Sequence, residues 1–347
     1  MKRMAVIHML SLSIFFVLLF TFNLTCCEVK KFPLLMPNVY PARPDLYICT
    51  PVRIVDDKTF YIVGFEPNAT MHVAHHMLLF GCGHPGSNKE IWDCGEMSAA
   101  DSYSTLKKAP PCRDGNHVLY AWARNAKSLT LPDDVGFQVG KGTGIQYLVL
   151  QVHYTKPFPE GQTDNSGLFL MYTEEPQSKL AGVLLLGVGG IIPPKSQTYM
   201  ETACEIEENK VIHPFAYRTH THTLGRVVSG YRVTRDETGE DHWSLLGKRD
   251  PLTPQMFYPI FDSTPIKYGD RLAARCTMDS SNRNRYTQVG PTNNDEMCNF
   301  YIMYYVKNDT PLTRKYCTTV GPPYYRWALD KENDLNNIPD EEASTLD

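Results

Sequence analysis

Arg218, His220 and His222, within Tyr217-Arg218-Thr219-His220-Thr221-His222-Thr223, are the residues whose types and spacing most directly suggest chemistry. In an extended strand successive side chains alternate between faces, so these three share one face and the three threonines take the other. Two imidazoles at i and i+2 can hold one metal ion, with a cation beside them. Met297-Cys298-Asn299-Phe300-Tyr301 follows the same parity, and if extended it turns Met297, Asn299 and Tyr301 to one side. Two imidazoles and a thioether favour copper, because soft sulfur suits Cu(I) and copper heads the divalent affinity series. Taken alone, His220-x-His222 is equally a polar strand face and Met297 a core filler.

The elements that must position these residues are strands. Thr59–Phe65, Val73–Phe80, His117–Ala123, Ile145–Tyr154, Leu168–Tyr172, Leu180–Val188, Phe215–Thr223, Arg226–Val233, Arg271–Met278 and Phe300–Val306 are short, β-branched or aromatic, and bounded by turn residues. With 25 prolines, 23 glycines and no amphipathic helix, the expected class is an all-β sandwich pair. Pro33, Pro37, Pro41 and Pro44 describe an extended lead-in, and Thr173–Ser178 is a polar break between halves. The expected organisation is a signal peptide over 1–27, an extended segment over 28–45, domains over 46–175 and 176–328, and an acidic disordered tail over 329–347.

At 347 residues and 42% hydrophobic content the chain holds enough material for two domains, and a net charge of -4 argues against nucleic acid as a partner. Lys2 and Arg3 precede an apolar run from Met4 to Leu24, which reads as a secretory signal and is also long enough for an uncleaved anchor. No second run of spanning length follows, so a cleaved product would have no transmembrane segment. The eight cysteines beyond the signal imply four disulfides in an oxidising lumen, four cysteines in each half. Asn68-Ala69-Thr70 and Asn308-Asp309-Thr310 are glycosylation sequons there. Gly140-Lys141-Gly142-Thr143-Gly144 lacks phosphate-loop spacing, and neither H-E-x-x-H nor G-x-S-x-G occurs.

A second histidine group consists of His75 and His76, with His153 in Leu150-Gln151-Val152-His153-Tyr154. Neighbours on a regular strand point to opposite faces, so His75 and His76 share a metal only where the chain is bulged or twisted. His72, His84, His117, His213 and His242 sit in polar or loop contexts.

His75-His76-Met77-Leu78-Leu79-Phe80-Gly81-Cys82, Leu150–Tyr154, His220-Thr221-His222 and Asp295–Tyr305 together resemble the catalytic core of the peptidylglycine α-hydroxylating monooxygenases, copper enzymes dependent on ascorbate. The resemblance covers about residues 40 to 325. It implies two tandem jelly-roll β-sandwiches, each supplying a copper site across an open, solvated cleft. His75, His76 and His153 match the electron-delivering site; His220, His222 and Met297 match the oxygen-binding site, with Met303 an alternative thioether. Arg218, Asn299 and Tyr301 match the residues that hold a peptide's terminal carboxylate. A strand rises ~3.3 Å per residue, so Arg218 lies ~7 Å from His220 on the same face and would set a terminal glycine beside the metal.

The resemblance further implies two copper ions per chain, ascorbate as electron donor, O2 as co-substrate, and pairs Cys49–Cys94, Cys82–Cys112, Cys204–Cys317 and Cys276–Cys298. A bridge that ties the N-terminal extension in some members has no cysteines here, which leaves the hold on residues 28–45 open. The implied reaction is α-hydroxylation of C-terminal glycine in glycine-extended peptides, within the secretory pathway. The chain runs out shortly after Trp327, so the product is expected to stop at the α-hydroxyglycine, with a separate lyase downstream. A dopamine-type hydroxylase of a phenylethylamine is the alternative that Arg218 and Tyr301 argue against; a secreted copper-binding protein without catalysis is the other.

Overall fold

The computed structural model describes residues 28–55, 57–95, 106–290, 292, 294–332 and 334–346, so the leader expected over 1–27 lies outside the described residues. The longer strands are β1 (Lys30–Leu35), β2 (Leu46–Arg53), β3 (Thr59–Asn68), β4 (His76–Cys82), β5 (His117–Ala123), β6 (Val135–Gly140), β7 (Tyr147–Tyr154) and β8 (Gly167–Thr173) in the first half. The second half has β9 (Lys179–Val188), β10 (Gln197–Glu205), β11 (Val211–His220), β12 (Gly225–Arg235), β13 (Asp241–Arg249), β14 (Arg271–Asp279), β15 (Asn299–Lys307) and β16 (Tyr316–Thr319).

Two β-sandwiches stand in tandem. In the first, the sheet β1-β8-β3-β6 packs on β2-β7-β4-β5; in the second, β9-β15-β11 packs on β10-β14-β12-β13. One sheet runs through both, because β6 pairs in parallel with β9 at Val135–Lys179 and Gly136–Leu180. Further along β9, β16 pairs with Leu185–Val188. Disulfides Cys49–Cys94 and Cys82–Cys112 close the first half; Cys204–Cys317 and Cys276–Cys298 close the second.

Side-chain parity then places the chemistry. Leu184, Leu186, Phe300, Ile302 and Tyr217 point into the core of the second sandwich, whereas Val183, Leu185, Tyr301, Met303 and Ala216 belong to the core of the first. Strands β9 and β15 and the second half of β11 are therefore buried on both faces, which accounts for the nearly unbroken apolar runs of β9 and β15. Arg218, His220 and Asn299 have the second parity, so they look toward the seam between the sandwiches.

Two expectations, the strand ends and the disordered tail, are corrected, and the hold on residues 28–45 that was left open is found. The strand expected to reach Thr223 ends at His220, and Val73 to His75 lie in the turn before β4. Residues 28–45 are held without a disulfide: β1 forms a full antiparallel ladder with β8, from Lys30–Tyr172 to Leu35–Gly167. The tail expected to be disordered is packed on the outer sheet of the second sandwich. Leu335 and Ala343 join a cluster with Trp327, Tyr231 and Val233. Arg275, 2% exposed, pairs with Glu201 and donates to the Asp340 carboxylate at 2.5 Å, and Lys248 donates to Glu342 O at 3.2 Å. Acidic composition signals disorder only where no cations face it; here the sheet supplies them. The sequon residues Asn68 and Asn308 are exposed.

Candidate metal centres

Strands β4 and β7 set His76 opposite His153, and the His75 N–H donates to His153 O at 2.9 Å, so the residue just outside β4 turns back over the pair. One ligand nitrogen from each of His75, His76 and His153 lies within 4.8 Å of the others. The Nδ1 atoms of His75 and His76 are 3.3 Å apart. His153 stacks on Tyr47 at 4.0 Å and its Nε2 meets Asp45 Oδ1 at 3.1 Å, while its buried Nδ1 has no partner. A carboxylate on Nε2–H fixes the tautomer that leaves a lone pair on Nδ1, the arrangement of a metal-binding histidine. Burial, then the neighbouring His153, pushes His75 down to about 4; burial also lowers His76 and, against the pull of Asp45, His153. All three are neutral near pH 7 and able to act as ligands.

The second group forms where β11 ends beside the start of β15. Register sets Arg218 beside Tyr301 and His220 beside Asn299. The strands are neighbours in one sheet, so these side chains share a face. His220 Nε2 lies 3.2 Å from Met297 Sδ, and the His220 and His222 rings are 5.5 Å apart. His220 Nδ1 bonds Gln255 Oε1 at 2.6 Å and His222 Nδ1 bonds Asp295 O at 3.1 Å. Each Nδ1–H is thereby engaged, which leaves Nε2 as the free ligand atom. Met303 lies in the apolar core opposite Val183 and Ala216, away from these rings.

Glu296 explains why β11 stops at His220. Its fully buried carboxylate accepts the backbone N–H groups of His222, Thr223 (3.0 Å), Leu224 (2.7 Å) and Met297 (2.8 Å). Donors that would continue the strand are taken, and the loops carrying His222 and Met297 are tied to one anion. Gln255 is the second organiser: its Oε1 accepts from His220, its backbone O accepts from Arg218 Nε at 3.0 Å, and its Nε2 donates to Thr221 O at 3.1 Å. Sequence reasoning missed Asp45, Gln255 and Glu296. Glu296 alone carried a signal, an acid directly adjoining the candidate ligand Met297.

The two groups adjoin, and this corrects the expected open cleft. The rings of His76 and His220 are 6.1 Å apart. Ala123 bridges Gln255, and Arg124 donates to Leu252 O at 3.1 Å and His222 O at 3.5 Å, holding the sandwiches together at this end. Between them lies a cavity of about 280 Å³ lined by His76, Met77 and Leu78 from one side and by Arg218, His220, Met297, Asn299 and Tyr301 from the other. Arg218 is 2% exposed, lies over the Tyr301 ring at 5.1 Å, and forms no ion pair with a carboxylate among the described residues. Burial lowers its pKa, yet a guanidinium stays charged. It is a desolvated cation at a cavity wall, suited to an anionic ligand.

Burial of neutral histidines carries a pH dependence. His75, His76, His153 and His220 fold with lowered pKa values, whereas the unfolded chain takes protons near 6.5. The penalty is absent above about 6.5, grows as pH falls through that value, and stops growing for His75 below about 4. Urea midpoints of the metal-free protein should fall between pH 7.5 and 5, before most carboxylates titrate; an unchanged midpoint would contradict neutral burial.

The chain matches two family models. Residues 32–160 match the copper type II ascorbate-dependent monooxygenase N-terminal domain and residues 179–330 the C-terminal domain of the same family. It is 41% identical over 291 residues to peptidyl-glycine alpha-amidating monooxygenase A of Xenopus laevis, covering 83% of this chain and 29% of that protein. Identity to the Rattus norvegicus peptidylglycine alpha-amidating monooxygenase is 40% over 296 residues, covering 84% and 28%. Against DBH-like monooxygenase protein 1 of Homo sapiens it is 28%, covering 76% and 45%. The chain thus spans about three tenths of the length of the amidating relatives. With both domains matched in order, the chain belongs to the copper type II ascorbate-dependent monooxygenase family.

Proposed function

We propose that this chain hydroxylates the α-carbon of a C-terminal glycine in glycine-extended peptides, with residues 46–175 and 176–328 as its two working halves, copper as cofactor, ascorbate as electron donor and O2 as co-substrate. The observation that carries this reading is Arg218, a buried guanidinium without a carboxylate partner among the described residues, on the same strand and face as His220. Two residues along a strand span ~7 Å, so a carboxylate held by Arg218 leaves the adjoining carbon next to the His220–Met297 pair. Asn299 and Tyr301, one on each rung beside them, line the same cavity and complete the anion's surroundings.

His75, His76 and His153 would hold one copper, and His220, His222 and Met297 a second. The donor sets fit: an orphaned buried Nδ1 in the first, two Nε2 lone pairs and a soft sulfur in the second. Bound copper supplies one-electron transfer and oxygen activation. The chain's own residues grip the carboxylate, orient the α-carbon, fix the imidazole tautomers through Asp45, Gln255 and Asp295 O, and surround the substrate with apolar walls at Met77, Leu78 and Leu185. Hydroxylation leaves an α-hydroxyglycine, so the reaction class that must consume this product is cleavage of the N–Cα bond by a lyase. Four disulfides support an oxidising secretory compartment. No helix among the described residues is long and apolar enough to cross a membrane.

Mass spectrometry of products from a glycine-extended peptide, its C-terminal carboxamide and a phenylethylamine is the test. Hydroxylation of the first alone is expected; turnover of the amine in its place would favour the dopamine-type reading. Arg218→Ala removes a charge-assisted contact worth roughly 1.5 to 3 kcal/mol, so kcat/KM for the peptide should fall at least about tenfold with copper content unchanged. An Arg218→Ala protein with wild-type kcat/KM would remove the carboxylate role.

A further inference from the structure

The wall of the cavity formed by the second sandwich is two rungs across four strands. Register sets Tyr316, Leu185, Tyr301 and Arg218 on one rung and Thr318, Gly187, Asn299 and His220 on the next, and all eight line the cavity. Only Gly187 lacks a side chain, and it sits one strand in from the edge strand β16 and two strands from the metal ligand His220. Neither backbone conformation nor a backbone clash requires glycine there. Its φ is not positive, and an added Cβ would meet only side chains: Thr318 Cγ2 at 3.5 Å, an ordinary contact, and Asn299 Oδ1 at 3.3 Å, tight enough that the amide would shift by a few tenths of an ångström. On the same strand Gly182 differs, since its Cβ would fall 2.5 Å from the Tyr304 ring. What glycine at 187 leaves is a trough, running from His220 over Asn299 to the sheet edge.

The trough leads to exposed apolar surface. Gly189, which also lines the cavity, donates to Thr319 O at 2.9 Å, and Ile191 donates to Pro322 O at 3.1 Å, so these turns form one rim. On that rim Ile191 is 46%, Val320 64% and Tyr324 83% exposed. Among the described residues no acidic side chain lines the cavity. Adjacent strands are ~4.8 Å apart, so His220 to Thr318 is about 14 Å, which an extended peptide covers in about four residues.

We propose that the substrate chain leaves the metal site across Gly187 and over β16, with the residues about four to six positions before the C-terminal glycine resting on Ile191, Val320 and Tyr324. This rests on the glycine-extended-peptide reading and adds a direction and a minimum length: apolar peptides of five or more residues use a surface that acylglycines do not reach. The other exit, past Met77 and Leu78 of the first sandwich, makes the opposite prediction.

The experiment compares kcat/KM for N-acetylglycine and for an apolar hexapeptide ending in glycine, in the copper-loaded wild type, Gly187→Ala, Gly187→Leu and Tyr324→Ala/Val320→Ser. Wild type should favour the hexapeptide. The hexapeptide-to-acetylglycine ratio should fall progressively through Gly187→Ala to Gly187→Leu, the latter by at least about tenfold, and should also fall in the rim variant, chiefly through KM. Gly187→Ala decides the matter should the leucine variant not fold. A ratio within twofold of wild type in both the alanine and rim variants overturns the proposed exit and favours the Met77–Leu78 side. Turnover of neither substrate by wild type removes the underlying reading, and this inference with it.

Discussion

Met297→Ile is expected to abolish ascorbate-dependent turnover while the protein stays folded. The sulfur lies 3.2 Å from His220 Nε2 at a half-buried position, and isoleucine keeps similar volume there without the soft donor. Cys298, next in sequence, is pinned to Cys276, so the chain cannot move far when the side chain changes. Losing an outer partner of a metal ligand typically costs about 10- to 100-fold in affinity or activity, and losing a ligand should cost more. Met303→Ile is the control. That residue is fully buried in the apolar core, where a swap of similar volume usually costs less than about 1.5 kcal/mol, so turnover should persist. Loss of turnover in Met303→Ile with retention in Met297→Ile would exchange the two roles.

Much of this arrangement is legible in the chain because one rule, side-chain alternation, governs it. Parity groups Arg218 with His220 and Asn299 with Tyr301, and the β11–β15 register brings those pairs onto adjacent rungs. Alternation fails where strands end. His222 and Met297 lie just outside β11 and β15, and they approach His220 because Glu296 folds both loops around its carboxylate. His75 likewise meets His76 from the turn before β4. Strands β10 and β13 escape detection because Glu201, Arg249 and Asp241 interrupt their apolar pattern; Glu201 and Asp241 are buried in ion pairs with Arg275 and Arg271. Arg275, together with Lys248, also orders the tail, which no local pattern announces. Asp45 is 108 residues from His153 and Gln255 is 35 from His220, so these supports exist only once the fold joins them. The closeness of the two histidine groups is equally hidden, since it depends on how Ala123 and Arg124 dock against Gln255 and Leu252.

Glu296→Ala is expected to separate the two metal groups. The carboxylate is fully buried and is the acceptor for four backbone N–H groups, three from the loop carrying His222 and one from Met297 itself. Each buried donor left unpaired costs roughly 1 to 3 kcal/mol, and bonds to a charged acceptor are at the strong end. Water entering the vacated space and loop relaxation recover part of that, so the net loss should be about 3 kcal/mol or more, read as a lowered denaturant midpoint with an unchanged m-value. In Glu296→Gln the new amide keeps one acceptor oxygen but turns an NH2 toward the remaining donors, so that variant should fall between wild type and alanine. The distinguishing readout is metal. His75, His76 and His153 take no support from Glu296, so under conditions where the alanine variant is folded it should keep about one copper per chain and lose the one at His220, His222 and Met297. A folded Glu296→Ala protein that binds two coppers with wild-type stability would show that the carboxylate is dispensable and that the Gln255 and Asp295 contacts and the Cys276–Cys298 disulfide hold these loops without it.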